Sequence, residues 1–118
     1  MSYALLIIEE RDRRKGRSRD AAISEYDSMR SFGASLRARG ILQGGEALKP
    51  DAEGVRVSAR EGRPLLLDGP FAESKEMIGG FFLIDVASRA EALVIAAECP
   101  AVAWATVEVR ETGICLDQ

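Results

Sequence analysis

The chain has 118 residues, 47% hydrophobic and 30% charged, with a net charge of −3; this predicts one domain spanning residues 1–118 with a core that needs no staples, and argues against disorder and against a nucleic-acid partner. It contains no histidine, which removes the commonest general base near neutral pH, the commonest zinc ligand and any Ser-His-Asp or Cys-His triad. Acid–base chemistry is left to Asp, Glu, Lys, Tyr or Cys.

The opening run Tyr3–Ile8 is apolar without a break, which predicts a strand buried on both faces. It meets Glu9 and Glu10 at once, so no signal peptide is expected, and no run approaches the ~20 apolar residues of a membrane span. Cys99 and Cys115 have no C-x-x-C spacing; a reducing cytoplasm is expected, with both cysteines acting as small hydrophobes. From Arg11 to Arg19 six of nine residues are basic, which reads as a solvated loop ahead of a helix, or as an anion-attracting patch. No aromatic residue interleaves there, so base stacking has no support.

From Asp20 to Arg39 the residues Ala22, Tyr26, Met29, Gly33 and Leu36 recur at helical spacing, with Ile23 and Phe32 widening the stripe. An amphipathic helix is predicted, capped by Asp20 and ending at Gly40. Ile41–Leu48 reads as a strand loosened at Gly44-Gly45, which suggest a bulge or a close backbone approach, with Glu46 beside them. Val55–Ser58, a tight turn at Glu61-Gly62 and Pro64–Leu67 predict a hairpin. Phe81–Val86 reads as a second strand buried on both faces. Ser88 and Glu91 have capping-box spacing at the start of a helix whose buried stripe is predicted as Ala90, Leu93, Val94 and Ala97. Trp104–Arg110 alternates as a closing strand.

The order β-α-β, hairpin, β-α-β predicts an α+β fold: a ferredoxin-like antiparallel sheet with two helices on one face. Strands apolar on both faces leave the second face uncovered. This predicts a homodimer packed sheet to sheet as a dimeric α/β barrel.

Between the hairpin and the fifth strand lies Asp68-Gly69-Pro70-Phe71-Ala72-Glu73-Ser74-Lys75-Glu76, running into Gly79-Gly80. One reading has the Asp68 carboxylate accepting from the Phe71 or Ala72 amide and fixing the turn, with Phe71 as a core anchor. The other places Asp68 in the cleft between sheet and helix, partly desolvated, as a general base acting beside a carbonyl or on a phenol. There Glu46, Gly69, Pro70, Phe71, Glu73 and Lys75 would contact an unidentified small molecule, with Tyr3 or Tyr26 as hydrogen-bond donors. Glu46, Asp68, Glu73 and Glu76 lack calcium-loop spacing and the paired glycines form no phosphate-binding motif, so no metal and no cofactor are expected.

The stretch Asp68–Glu76 followed by Gly79–Asp85 resembles the signature of the YCII-related family, in its DGPF branch. Gly44–Leu48 and Val107–Arg110 resemble that family's second and closing strands. The resemblance implies the ferredoxin-like dimer. It also implies kinship with small lyase-like enzymes, one of which removes chloride from a chlorinated hydroxyquinol with a His–Asp pair. The Asp of that pair maps to Asp68, and its His has no counterpart here. Members of the branch are associated with extracytoplasmic-function sigma factors, which implies a regulatory setting. The basic segment 11–19 departs from the less basic loop of the family.

Overall fold

The computed structural model of the chain describes residues 1–71 and 74–115. Its strands are β1 (Ser2–Glu10), β2 (Leu42–Ala47), β3 (Val55–Arg60), β4 (Arg63–Asp68), β5 (Glu76–Asp85) and β6 (Thr106–Glu111); its helices are α1 (Arg19–Ala38) and α2 (Arg89–Glu98). Short 3-10 helices lie at Arg13–Gly16, Asp51–Glu53 and Pro100–Ala103. β2, β5, β1 and β6 form a four-stranded sheet in that order, antiparallel at each pairing. β3 and β4 pair only with each other. The larger sheet has the expected ferredoxin-like order, with the hairpin inserted between its second and third strands.

Alternation along β1 decides which face is the core. Tyr3, Leu5, Ile7 and Glu9 are buried, while Ala4, Leu6 and Ile8 are only half-buried. Successive side chains of a strand point to opposite faces, so β1 is covered within the chain on one face and not, as its composition predicts, on both. The covered face meets Phe32 and Leu36 of α1 and Ala92, Ile95 and Ala96 of α2 in one cluster. Fully burying a side chain such as Leu5, Leu36 or Ile95 contributes about 1.5–3 kcal/mol. The other face carries Leu6, Ile8, Ile78, Phe81 and Leu83 with no described helix or strand packed over it. The sheet is open, with β2 and β6 at its edges, and no barrel closes within one chain.

Both helices start on a serine. Ser18, rather than Asp20, caps α1 by accepting from the Ala21 amide at 3.1 Å, and Gly40, at φ 73°, follows its C-terminus. Ser88 caps α2 by accepting from the Glu91 amide at 3.2 Å, while the Glu91 carboxylate accepts from the Ala87 amide. The buried stripe of α2 is Ala92, Ile95 and Ala96, not the predicted set; Leu93 and Val94 face solvent. In α1, Tyr26 and Ile23 of the predicted stripe are also exposed.

The register of β2 on β5 shifts between Leu42 and Gly44, so the bulge falls at Gln43, just ahead of the glycine pair where the sequence suggests it. A Cβ on Gly45 would come 2.7 Å from the Phe81 carbonyl oxygen, so this close approach needs glycine. The hairpin turns through Glu61 (φ 51°) and Gly62 (φ 78°), the two left-handed residues that match the twist of its strands. Every residue of β3 and β4 is exposed.

The radius of gyration is 16.1 Å and the molecule measures 46 × 43 × 19 Å; a compact chain of this length has a radius near ~13.5 Å. The excess reflects a hairpin that projects as an arm from a flat body.

Candidate functional site

The basic segment after β1 is solvated at Asp12, Lys15 and Arg19, but most of its arginines are engaged within the chain. Four of its arginines meet carboxylates. Arg14 Nε donates to Glu9 Oε1 at 2.5 Å, and its two Nη groups donate to the carbonyls of Leu48 (2.8 Å) and Gly79 (3.2 Å). Arg13 and Arg17 converge on Glu25 of α1, Arg17 at 2.6 Å. The Arg13 guanidinium also lies 5.4 Å from the centre of the Trp104 ring. Arg11 Nε stands 3.1 Å from Asp51 Oδ2. These two buried atoms are close enough to pair by charge but lack the alignment of a hydrogen bond.

Glu9 is the buried charged residue of the core face, at 6% exposure. Its place follows from the alternation of β1: two residues past Ile7 lies the same face. Burying a carboxylate without a partner is costly, and Arg14 meets that need, each of its three nitrogens donating to protein. Gly79 makes room for the pair. A Cβ there would overlap the Glu9 carboxylate and reach within 2.9 Å of Arg14 Nη2. The register of β1 on β5 also shifts here, between Ile7 and Ile8, leaving Gly79 as the bulged residue.

Beside this pair opens a cleft of about 710 Å³ between α1 and the sheet. Ile7, Met29, Gly33, Phe82 and Trp104 give it apolar walls, and Phe82 meets the Phe32 ring edge to face at 5.3 Å. Tyr26, Arg30 and Arg37 lie along its α1 side. Arg30 stacks 6.0 Å from the Tyr26 ring centre. No described carboxylate lies within ion-pair distance of Arg30 or Arg37. In Glu25, the hydrogen bond from Arg13 holds the carboxyl below the usual carboxylate range, against the opposing effect of burial and with help from Arg17.

The residues predicted from the sequence are divided among three places. Glu46 borders the α1 cleft from strand β2, while its register opposite Phe81 puts its side chain on the open face of the sheet. Phe71 and Lys75 line a second, more open groove of about 1140 Å³, bounded by Pro50, Asp51, Arg56 and Met77 on one side and by Ile8 and Ile78 of the uncovered sheet face on the other. Asp68, Gly69 and Pro70 line neither. Asp68 ends β4, opposite Val55, and is exposed; its expected position between sheet and helix is not the one it occupies. No hydrogen bond from a described residue reaches its carboxylate. Glu73 lies outside the described residues.

The turn is fixed by other groups. The Gly69 amide donates to the Gly54 carbonyl at 2.8 Å, and a Cβ on Gly69 would overlap the Asp51 carbonyl oxygen. The Gly69–Pro70 bond is cis. Arg11 Nη1 donates to the carbonyls of Phe71 and Ser74, both at 3.0 Å, and the Arg11 amide donates to the Lys75 carbonyl at 3.1 Å. Phe71 is buried, as the anchoring reading expects, with the Arg56 guanidinium 3.8 Å from its ring centre. Tyr26 borders the cleft, whereas Tyr3 is buried away from it and donates to Glu111 at 3.3 Å.

Sequence reasoning missed Glu9, Arg11, Arg14, Glu25 and Asp51. A signal existed for Glu9, whose two-residue spacing continues Tyr3, Leu5 and Ile7. For the rest, no local pattern pairs an arginine with a carboxylate as distant as Asp51. Among the described residues no group of three or more Cys, Asp or Glu side chains stands close enough to hold a metal ion. No described helix is long and apolar enough to cross a membrane.

The chain belongs to the YCII-related family, whose domain model matches residues 1–112. It is also similar to an uncharacterised protein of Rhizobium meliloti (strain 1021), 46% identical over 46 residues. That match spans 39% of this chain and 37% of the relative's length.

Proposed function

We propose that the chain is a small-molecule-binding protein that works as a homodimer and takes a small apolar or aromatic organic acid in the α1 cleft. The observation that carries this reading is the pairing of apolar cleft walls with Arg30 and Arg37. Seven residues apart on α1, they lie on one helix face and lack described carboxylate partners. The cleft volume is within the ~300–1,000 Å³ range of small-ligand sites. The uncovered apolar face of the sheet supports the dimer.

Binding or sensing fits this geometry better than turnover. Of the carboxylates bordering the cleft, Glu9 is held by Arg14 and Glu25 by Arg13 and Arg17, Glu46 lies opposite Phe81 on strand β2, and Asp68 stands outside. A sensing role also suits the sigma-factor association that the DGPF resemblance implies. In the catalytic form of the proposal, a cofactor-independent lyase or isomerase, Asp68 is the acid–base group acting from the end of β4, outside the groove, on a substrate held by Phe71 and Lys75.

A thermal-shift screen of small aromatic and keto acids tests the reading. At least one acid is expected to raise the melting temperature, and Arg30→Gln with Arg37→Gln is expected to abolish the rise. A panel without effect on the wild type would remove the reading. If a stabilising acid is consumed and Asp68→Asn stops its consumption while leaving binding intact, the catalytic form holds; binding without turnover leaves the sensing form.

A further inference from the structure

The β3–β4 arm is the least self-sufficient part of the fold. A two-stranded hairpin is marginal in water without something packed on it, and every residue of this one is exposed. Its pairing register places Val55, Val57 and Leu66 on one side and Leu65 and Leu67 on the other. All five are large apolar side chains left in solvent. Arg60 and Arg63 stand directly opposite each other beside the turn, a like-charge pair that is unfavourable in isolation. Neither has a described carboxylate within ion-pair distance.

The uncovered face of the four-stranded sheet is the other unsatisfied surface, and the two border one groove. Ile8 and Ile78 bound it from the sheet and Arg56 bounds it from the root of the arm. Charges of both signs line the groove: Lys49, Lys75, Glu76 and Glu108, the last paired with Arg110 at 2.6 Å. The acidic groups without a described ion-pair partner on the sheet side are therefore Glu76 and Glu46, the latter opposite Phe81. We infer that the arm is a clasp for a second copy of this chain: each protomer's arm lies against the partner's open sheet face, with Arg60 and Arg63 toward the acidic groups there.

Self-complementarity favours a second copy over a foreign partner. An apolar arm with a basic tip and an apolar sheet with acidic groups occur on the same chain, so one two-fold operation satisfies both twice. An arm of two six-residue strands presents roughly 200 Å² and covers as much of the partner's sheet, so two arms bury roughly 400 Å² per partner. That is about half of the ~800 Å² of a standard interface, and the rest of the open sheet face is left to meet its counterpart.

The clasp rests on the dimer proposed above but is separable from it by sedimentation. The wild type is expected to be dimeric at micromolar concentration. Leu65→Asp with Leu67→Asp is expected to weaken the dimer at least ~100-fold while leaving the helical circular dichroism unchanged. A monomeric wild type overturns the dimer and the clasp together. A dimeric wild type with a variant of equal affinity overturns the clasp alone.

Because aspartates on the arm also strain the hairpin itself, a second measurement keeps the residues apolar. In a Cys115→Ser background, Leu65→Cys is labelled with a benzophenone maleimide and irradiated. Covalent dimers with adducts mapped to β1 or β5 of the other chain are expected. Adducts confined to the labelled chain would mean that the arm folds back on its own sheet, against the inference.

Discussion

The carboxylate of Glu9 and the guanidinium of Arg14 meet at 2.5 Å over a residue that has no side chain, Gly79. The pair ties the end of β1 to the 3-10 helix after it, and through the Arg14 Nη groups to Leu48 and to the bulge of β5. One arginine thus joins three strand ends at the mouth of the α1 cleft.

Gly79→Ala should therefore cost more than a typical substitution in a strand. The new methyl overlaps the Glu9 carboxylate, so either the strand shifts or the ion pair separates, a loss of about 1–3 kcal/mol. Glu9→Gln, which leaves Arg14 half-buried without its counter-charge, should cost about 3 kcal/mol. Urea denaturation with a double-mutant cycle checks both. Additive losses for Glu9→Gln and Arg14→Met would contradict the coupling.

Glu25 sets an acid limb. Its folded pKa is depressed, first by the hydrogen bond from Arg13 and then by Arg17, whereas in the unfolded chain it titrates near ~4.3. Between the two values the unfolded state binds more protons, so stability rises with pH there. The contribution is complete above the unfolded pKa and is lost as pH falls through the folded one. Melting temperatures followed from about pH 6 to about pH 3 should fall more steeply for the wild type than for Glu25→Gln. Parallel curves would mean that the Arg13 and Arg17 contacts do not bear on folding.

The turn at Gly69 is a tight backbone contact rather than a carboxylate-fixed one. Gly69→Ala would drive a methyl into the Asp51 carbonyl and should cost at least ~3 kcal/mol. Asp68→Asn should change stability by less than ~0.5 kcal/mol, since no described donor reaches that carboxylate and the residue is exposed. Chemical denaturation of both variants separates the two accounts of the loop. A larger loss for Asp68→Asn than for Gly69→Ala would restore the carboxylate to the structural role.

The two cysteines should be distinguishable chemically. Cys99 is buried, and burial pushes its thiol pKa up, while Cys115 is exposed. A native protein treated with a maleimide should take one label, at Cys115, and a second only in denaturant. Native double labelling, read by intact mass, would mean that the α2 end of the core opens readily.

Much of the architecture was legible residue by residue. The caps at Ser88 and Gly40, the close backbone approach at Gly45 and the Glu61-Gly62 turn are local chemistry, and each appears where the sequence predicts it; the bulge of β2 falls earlier, at Gln43. The α2 stripe was not legible, because Arg89–Glu98 is apolar around most of its circumference and periodicity then selects no face. The candidate site was less legible still. Glu46 borders the cleft, but the chemistry there comes from Glu9, Arg14, Glu25 and Arg30.

By itself, then, the sequence determined the order of the elements, the ferredoxin-like arrangement of the larger sheet and the place of the turns, because spacing, capping and glycine conformations act over a few residues. Tertiary structure alone decided that the arginines after β1 are consumed by Glu9, Glu25 and Asp51, that Asp68 stands outside the cleft, and that the hairpin leaves the body as an arm. Those outcomes depend on which charges and surfaces meet across tens of residues. A charge in a sequence carries its sign but not its partner.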